Sequence, residues 1–189
     1  KRVVTEGGVA RAGLRALSRP SEVPLSYAQR RLWFLNRLEG ASASYAIPLA
    51  FRLRGELDVA ALEAALGDLV ERHESLRTIF PEELGVPRQA VLAASEARPR
   101  LIVEAVSAGE VAAALGRAAG RGFDLSCEAP LRAHLLALGV REHVLLVVLH
   151  HIAGDGWSLA PLLRDLGRFY EARCQGQAAA IAALPVQYA

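Results

Sequence analysis

Apolar positions along the chain follow two periods. Over residues 26–38 they recur at helical spacing through Leu32, Leu35 and Leu38, with Ser26 placed as N-cap and Gln29 three residues on to complete a capping box. Residues 47–54 alternate instead. Ile47, Leu49, Phe51 and Leu53 share one face of a predicted strand, and Arg52 and Arg54 the other. Pro48 has no N–H to give a ladder, which restricts it to the start of that strand or to a sheet edge. Asp58 then caps a helix running to about His73, with Leu62, Leu66, Leu69 and Val70 as its buried stripe. Short strands are expected over residues 76–80, 88–92 and 101–106, with a turn over 81–87. An Ala- and Leu-rich helix over 110–119 stops at Gly120 and Gly122. Two apolar strands, 131–138 and 143–150, flank a hairpin connection, and a last helix over 158–173 carries Leu159, Leu162, Leu163, Leu166, Phe169 and Tyr170 before Gly176 ends it. Helices and strands alternate irregularly and some strands pair as hairpins. The pattern predicts an α/β fold with a mixed sheet covered by helices, not a purely parallel one.

Residues 1–22 lack a persistent apolar face and read as an inter-domain linker, leaving residues 23–189 as the folded unit. The chain of 189 residues has no Met and begins with Lys1, so it is expected to be cut from a longer polypeptide. With 52% hydrophobic and 22% charged residues it belongs with ordinary globular proteins. A net charge of +2, carried by arginines scattered along the chain, argues against nucleic acid as a partner. The longest apolar run is strand-sized and no signal-peptide stretch opens the chain, so neither a membrane nor export is expected and a cytoplasmic location is. Cys127 and Cys174 match neither a metal spacing nor a disulfide framework and are expected to be free thiols.

Chemistry concentrates at His150-His151-Ile152-Ala153-Gly154-Asp155-Gly156-Trp157-Ser158. Side chains alternate faces along a strand, so two histidines at its end should point to opposite sides: one can meet a cavity while the other is held in packing. Gly154 and Gly156 permit a tight turn with positive φ that brings Asp155 back toward the strand end or a nearby arginine. Imidazole titrates near neutral pH, with an unperturbed pKa of about 6.5, which suits proton transfer. Three other readings fit these residues: core histidines bonded to backbone carbonyls, a His/Asp metal site made awkward by the opposed faces, and a hydrolase. Gly156-Trp157-Ser158-Leu159-Ala160 lacks the second glycine of a nucleophile elbow, which weakens the last.

Three blocks in order carry a family resemblance. The His150 to Ser158 run resembles the HHxxxDG motif of condensation domains of nonribosomal peptide synthetases, in the chloramphenicol-acetyltransferase-like superfamily. Ser26-Tyr27-Ala28-Gln29-Arg30-Arg31-Leu32-Trp33-Phe34-Leu35 resembles their opening SxAQxRLWxL motif, and Arg72-His73-Glu74-Ser75-Leu76-Arg77-Thr78-Ile79-Phe80 their RHExLRTxF motif. The resemblance implies amide formation between a donor thioester and an acceptor amine. Both are presented on phosphopantetheine arms of upstream and downstream peptidyl carrier domains, beside an adenylation domain, with no cofactor or metal bound directly. It implies catalysis by His151 and a structural role for His150. Asp155 would be held by an arginine of the second motif, Arg72 or Arg77. Gly156, Trp157 and Ser158 would border the substrate tunnel, with the indoles of Trp33 and Trp157 expected chiefly to pack. A complete domain of this family has a second similar lobe with the tunnel between the two, so this chain is expected to be the N-terminal lobe, inactive by itself. Two relatives remain in view. Epimerisation domains share HHxxxDG but continue with Ser-Trp, whereas Trp157 precedes Ser158 here. Non-catalytic recruitment domains of the same fold tend to have eroded histidine motifs, whereas this one is intact. The opening block resembles the elongating type, with an L-configured donor favoured over D.

Overall fold

A computed structural model of the chain describes residues 18–40 and 42–189. Most of the expected linker, residues 1–17, lies outside the described residues; the rest of it, 18–22, forms no regular element. The elements are β1 (Val23–Pro24), α1 (Tyr27–Glu39), β2 (Ala46–Arg54), α2 (Val59–Arg72), β3 (Thr78–Ile79), β4 (Glu82–Glu83), β5 (Val86–Val91), β6 (Leu101–Ala105), α3 (Val111–Ala119), β7 (Leu131–Gly139), β8 (Glu142–His150) and α4 (Gly156–Cys174). The main sheet has the order β2-β8-β7-β6, antiparallel except for the parallel β6–β7 pair. That is the expected mixed sheet. A smaller sheet gathers β1, β3 and β4 around β5.

β8 lies between β2 and β7 and is buried from His143 to His150, which explains its near-continuous apolar sequence. Leu145, Val147 and Leu149 face a core formed with Leu66, Leu69 and Val70 of α2 and Leu162, Leu166 and Phe169 of α4. Leu146 and Val148 face the other way, against Phe123, Leu125 and Ile152, with Leu32 and Trp33 of α1 packed on them. The sheet is therefore covered on both faces. Pro48 sits in β2, an edge strand of the main sheet, where its missing N–H costs no interior ladder bond.

Caps behave as their residue types dictate. Ser26 accepts from the Gln29 N–H at 3.2 Å while Gln29 Oε1 accepts from the Ser26 N–H at 2.9 Å, the reciprocal box. Asp58 accepts from the Ala61 N–H at 2.9 Å. Three expectations change. Residues 74–77 form a 3-10 turn, and only Thr78–Ile79 of the expected strand pairs, because Thr78 Oγ donates back to the Glu74 carbonyl at 2.7 Å and closes the turn. The 81–87 turn contains the β4–β5 hairpin, reversed at Leu84 and Gly85 with φ of 51° and 82°. The last helix begins two residues earlier than expected, at Gly156.

Candidate active site

β8 ends at His150, and the two histidines part company there. His150 continues the face of Leu146 and Val148 and is fully buried. Phe123 stands edge-on to its ring at 5.8 Å and Tyr45 lies tilted at 6.4 Å. His150 Nδ1 accepts from the Ile152 N–H at 3.1 Å, which places the ring proton on Nε2, a buried donor with no partner among the described residues. Burial first, and the neighbouring His151 second, push its pKa down to about 4. It is a neutral ring that holds a turn.

His151 is exposed. Its N–H donates to the Tyr45 carbonyl at 2.8 Å, and its side chain borders a cavity of about 240 Å³. That cavity is walled by Gln29 and Leu32 of α1, Ser75 of the 3-10 turn, Ser158 of α4 and Tyr188 of the final segment. Tyr188 Oη lies 3.0 Å from Ser26 Oγ, and Gln187 ties the same segment to the chain by accepting from the Glu74 N–H at 3.2 Å and donating to the Arg72 carbonyl at 2.9 Å. All three sequence motifs thus converge on one cavity. Ser75, Leu32 and Tyr188 were not distinguishable as its walls from the sequence. The only signal for Leu32 and Ser75 was membership of motifs whose folding together the sequence does not display, and Tyr188 lies in none of the three.

Asp155 differs from expectation. It is the N-cap of α4: Oδ1 accepts from the Ser158 N–H at 3.1 Å and from the Ser158 hydroxyl at 2.8 Å, while the Asp155 N–H donates to Ser158 Oγ at 3.1 Å. The Ser158 hydroxyl and backbone hydrogen bonds hold its carboxyl below the usual carboxylate range. It pairs with neither Arg72 nor Arg77, because the cap turns its carboxylate onto its own helix. Arg72 Nε instead donates to Asp165 Oδ2 at 2.9 Å, and His73 Nε2 meets the same oxygen at 3.0 Å, on the shared α2–α4 face. Arg77 donates to the Leu92 carbonyl and reaches Glu74 Oε1 at 3.5 Å. Arg72 therefore supports the α2–α4 frame, while Arg77 ties the 3-10 turn to the residue that follows β5; neither reaches the loop that bears His151.

Gly154 and Gly156 do not take positive φ. Gly154 is instead needed for close approach: a Cβ there would stand 3.1 Å from Leu149 Cδ2 and 3.2 Å from Ser158 Cβ. Gly156 opens α4, exposed, and Trp157 projects 90% exposed rather than packing. Trp33 does pack, half-buried, with its indole N–H donating to the Phe80 carbonyl at 3.3 Å. Cys127 and Cys174 are both exposed free thiols. Among the described residues no helix is long and apolar enough to cross a membrane.

A mixed sheet covered on both faces, ending in a histidine pair with the second ring at a cavity, fits the chloramphenicol-acetyltransferase-like fold. The profile of the condensation-domain family matches residues 20–189, and the chain belongs to that family. It is 54% identical to a dimodular nonribosomal peptide synthase of Bacillus subtilis (strain 168) over 93% of the chain, yet spans 7% of that protein. Among solved structures, the X-domain from teicoplanin biosynthesis superposes with a TM-score of 0.88 at 41% identity, covering 94% of this chain and 38% of that one. The same X-domain has been solved in complex with OxyB. The first condensation domain of the calcium-dependent antibiotic synthetase, bound to a substrate analogue, gives a TM-score of 0.75 at 28% identity over 87% of this chain and 41% of that one.

Proposed function

We propose that the domain containing this chain forms amide bonds in nonribosomal peptide synthesis, and that His151 is its catalytic residue. Support comes above all from one observation: of two adjacent histidines, His151 alone is exposed, at a cavity where the three motif blocks meet. A donor thioester and an acceptor aminoacyl amine, each on the phosphopantetheine of a carrier domain, would meet there. The amine nitrogen attacks the thioester carbonyl, the C–N bond forms, the C–S bond breaks to release the carrier thiol, and the nitrogen loses a proton. An exposed imidazole at that point either accepts the proton or holds the attacking nitrogen and the oxyanion in line. Gly156 and Ser158 would border the acceptor approach, with Trp157 reaching outward from α4 toward whatever lies across the cavity. The partners in this reading are the upstream and downstream carrier domains, an adjacent adenylation domain and a second lobe closing the tunnel.

The test is His151→Ala in the full synthetase with both carriers loaded. Dipeptidyl-thioester formation should vanish while loading continues; normal product would remove His151 from catalysis. The chain spans about two fifths of the solved domains it resembles, so residues 1–189 alone should give no detectable condensation. Robust turnover by them would refute the need for a second lobe.

A second reading, a recruitment domain that binds a tailoring enzyme without catalysis, draws on the likeness to the X-domain solved with OxyB. It predicts partner binding that survives His151→Ala and no condensation with any substrate pair. The intact His150-His151 pair favours the catalytic reading.

A further inference from the structure

Arg132 lies on β7 and is 8% exposed, an arginine in the interior. Its guanidinium makes four hydrogen bonds. Nε donates to Glu128 Oε1 at 2.5 Å and Nη2 to Glu128 Oε2 at 2.6 Å, a bidentate fork. Nη1 donates to the Arg121 carbonyl and Nη2 also to the Gly122 carbonyl, each at 2.7 Å. The same group lies over the Phe123 ring, with Cζ 3.9 Å from its centroid.

A staple for residues 121–128 would need no more than the fork and the two carbonyls. The stacking adds something else. Phe123 is fully buried, its carbonyl accepts from Asn36 Nδ2 of α1 at 3.2 Å, and it stands at 80° to the His150 ring. His150 in turn holds the Ile152 amide, the first backbone donor after His151. His151 has its own N–H fixed on the Tyr45 carbonyl. The tilt of the His151 ring over the cavity therefore depends on where the His150 ring sits, and among the described residues that ring has only packing to locate it on its Nε2 side, since Nε2 has no hydrogen-bond partner among them. Phe123 supplies the packing, and Arg132 fixes Phe123.

We propose that Arg132 is a positioning residue for His151, acting through the stacked Phe123 ring on His150 and so on the turn that presents His151 to the cavity. Arginine suits the task because a planar, permanently charged fork can bind a carboxylate edge-on while lying flat on an aromatic face; an ammonium can do neither. Loss of the stack would let the His150 ring rotate and admit water, and the group would become easier to protonate beside His151. The charged and titratable groups around that ring are His151, the Tyr45 phenol and Arg132 itself beyond Phe123.

The inference rests on His151 as the catalytic residue, and the experiment separates the two. In the full synthetase, Arg132→Lys and Phe123→Leu are compared with His151→Ala and with Arg173→Lys. Arg173 makes an equally close bidentate pair, with Asp68 at 2.6 and 2.7 Å, but at the other end of α4, about 27 Å along the axis from the His151 turn. Arg132→Lys and Phe123→Leu should lower kcat by roughly tenfold to a hundredfold with KM for donor and acceptor little changed. Their acid limb in the pH–rate profile should move upward, and hydrogen exchange at the Ile152 amide should accelerate while α2 and α4 stay protected. Arg173→Lys should leave kcat and Ile152 exchange unchanged. Wild-type kcat in both variants, or an equal loss in Arg173→Lys, overturns the positioning role. Full activity in His151→Ala would defeat the catalytic reading; unaltered Ile152 exchange in Arg132→Lys and Phe123→Leu would defeat this one whatever His151 does.

Discussion

The arginine of the second motif binds Asp165, not Asp155, and this exchange of partners can be weighed by truncating each carboxylate. Asp165 is 3% exposed and receives Arg72 Nε at 2.9 Å and His73 Nε2 at 3.0 Å on a single oxygen. Removing it in Asp165→Ala strands an arginine and a histidine whose side chains are themselves only 15% and 20% exposed. Breaking a buried pair costs about 3–5 kcal/mol; Arg72 keeps the Ala182 carbonyl as an acceptor and some access to water, so a loss just below that range, about 2–3 kcal/mol, is expected. That is a factor of about 30 or more in the folded-to-unfolded ratio. With a urea m-value of about 2 kcal/mol per molar, the midpoint should fall by about 1 M. The assay is urea unfolding of the chain at pH 7, followed by tryptophan fluorescence and far-ultraviolet circular dichroism. Asp155→Ala runs beside it. Asp155 is exposed and serves only its own helix, so its midpoint should fall visibly less. An equal or larger loss in Asp155→Ala would refute the assignment.

The same pair makes a pH prediction with a definite sign. Burial by itself would raise the Asp165 carboxyl, but the hydrogen bonds from His73 and Arg72, with their charge, outweigh it and hold its pKa below the ordinary value. A depressed carboxyl contributes stability above its unfolded pKa of about 3.9 and loses it as pH falls through the folded value. The gap between wild type and Asp165→Ala should therefore be full at pH 7 and close on acidification below about pH 4.

Three further outcomes are expected. His150, with its pKa at about 4 against roughly 6.5 in an unfolded chain, should make stability fall as pH drops through that window; His150→Asn, which keeps an acceptor for the Ile152 amide but does not titrate, should flatten the slope, and an unchanged slope would place the titration elsewhere. Leu66, fully buried between α2 and the sheet, should cost about 3 kcal/mol when cut to alanine, read by urea unfolding; a loss below about 1 kcal/mol would mean the α2 face is not the core described. Ser26→Ala should cost about 1 kcal/mol through the α1 capping box, and should also alter the cavity wall by releasing Tyr188, detectable as faster hydrogen exchange in the last residues.

Much of this protein was legible in its sequence because local rules governed it. The α1 capping box, the alternation of β2, the continuous apolar run of β8 and the helical stripe of α2 each follow from a period or a cap that neighbouring residues complete among themselves. Face alternation alone separated His150 from His151, since the two lie one residue apart at the end of a strand. The family resemblance named the chemistry but carried an ion pair that the fold does not form. Whether Asp155 turns to an arginine or to Ser158 depends on where α4 begins, and it begins at Gly156 with Asp155 as its cap. Arg72 then finds Asp165 because α2 and α4 cross side by side on the same face of the sheet. The walls of the His151 cavity belong to this second kind of fact. Ser75, Leu32 and Tyr188 come from segments far apart in the chain, and only the closing of both layers over the sheet brings them to one imidazole. Sequence determined most of the elements and that the two histidines part to opposite faces, with the family resemblance implying that His151 is the free one. Tertiary packing decided which charges meet and what surrounds that histidine, because those depend on distances between elements that no local pattern encodes.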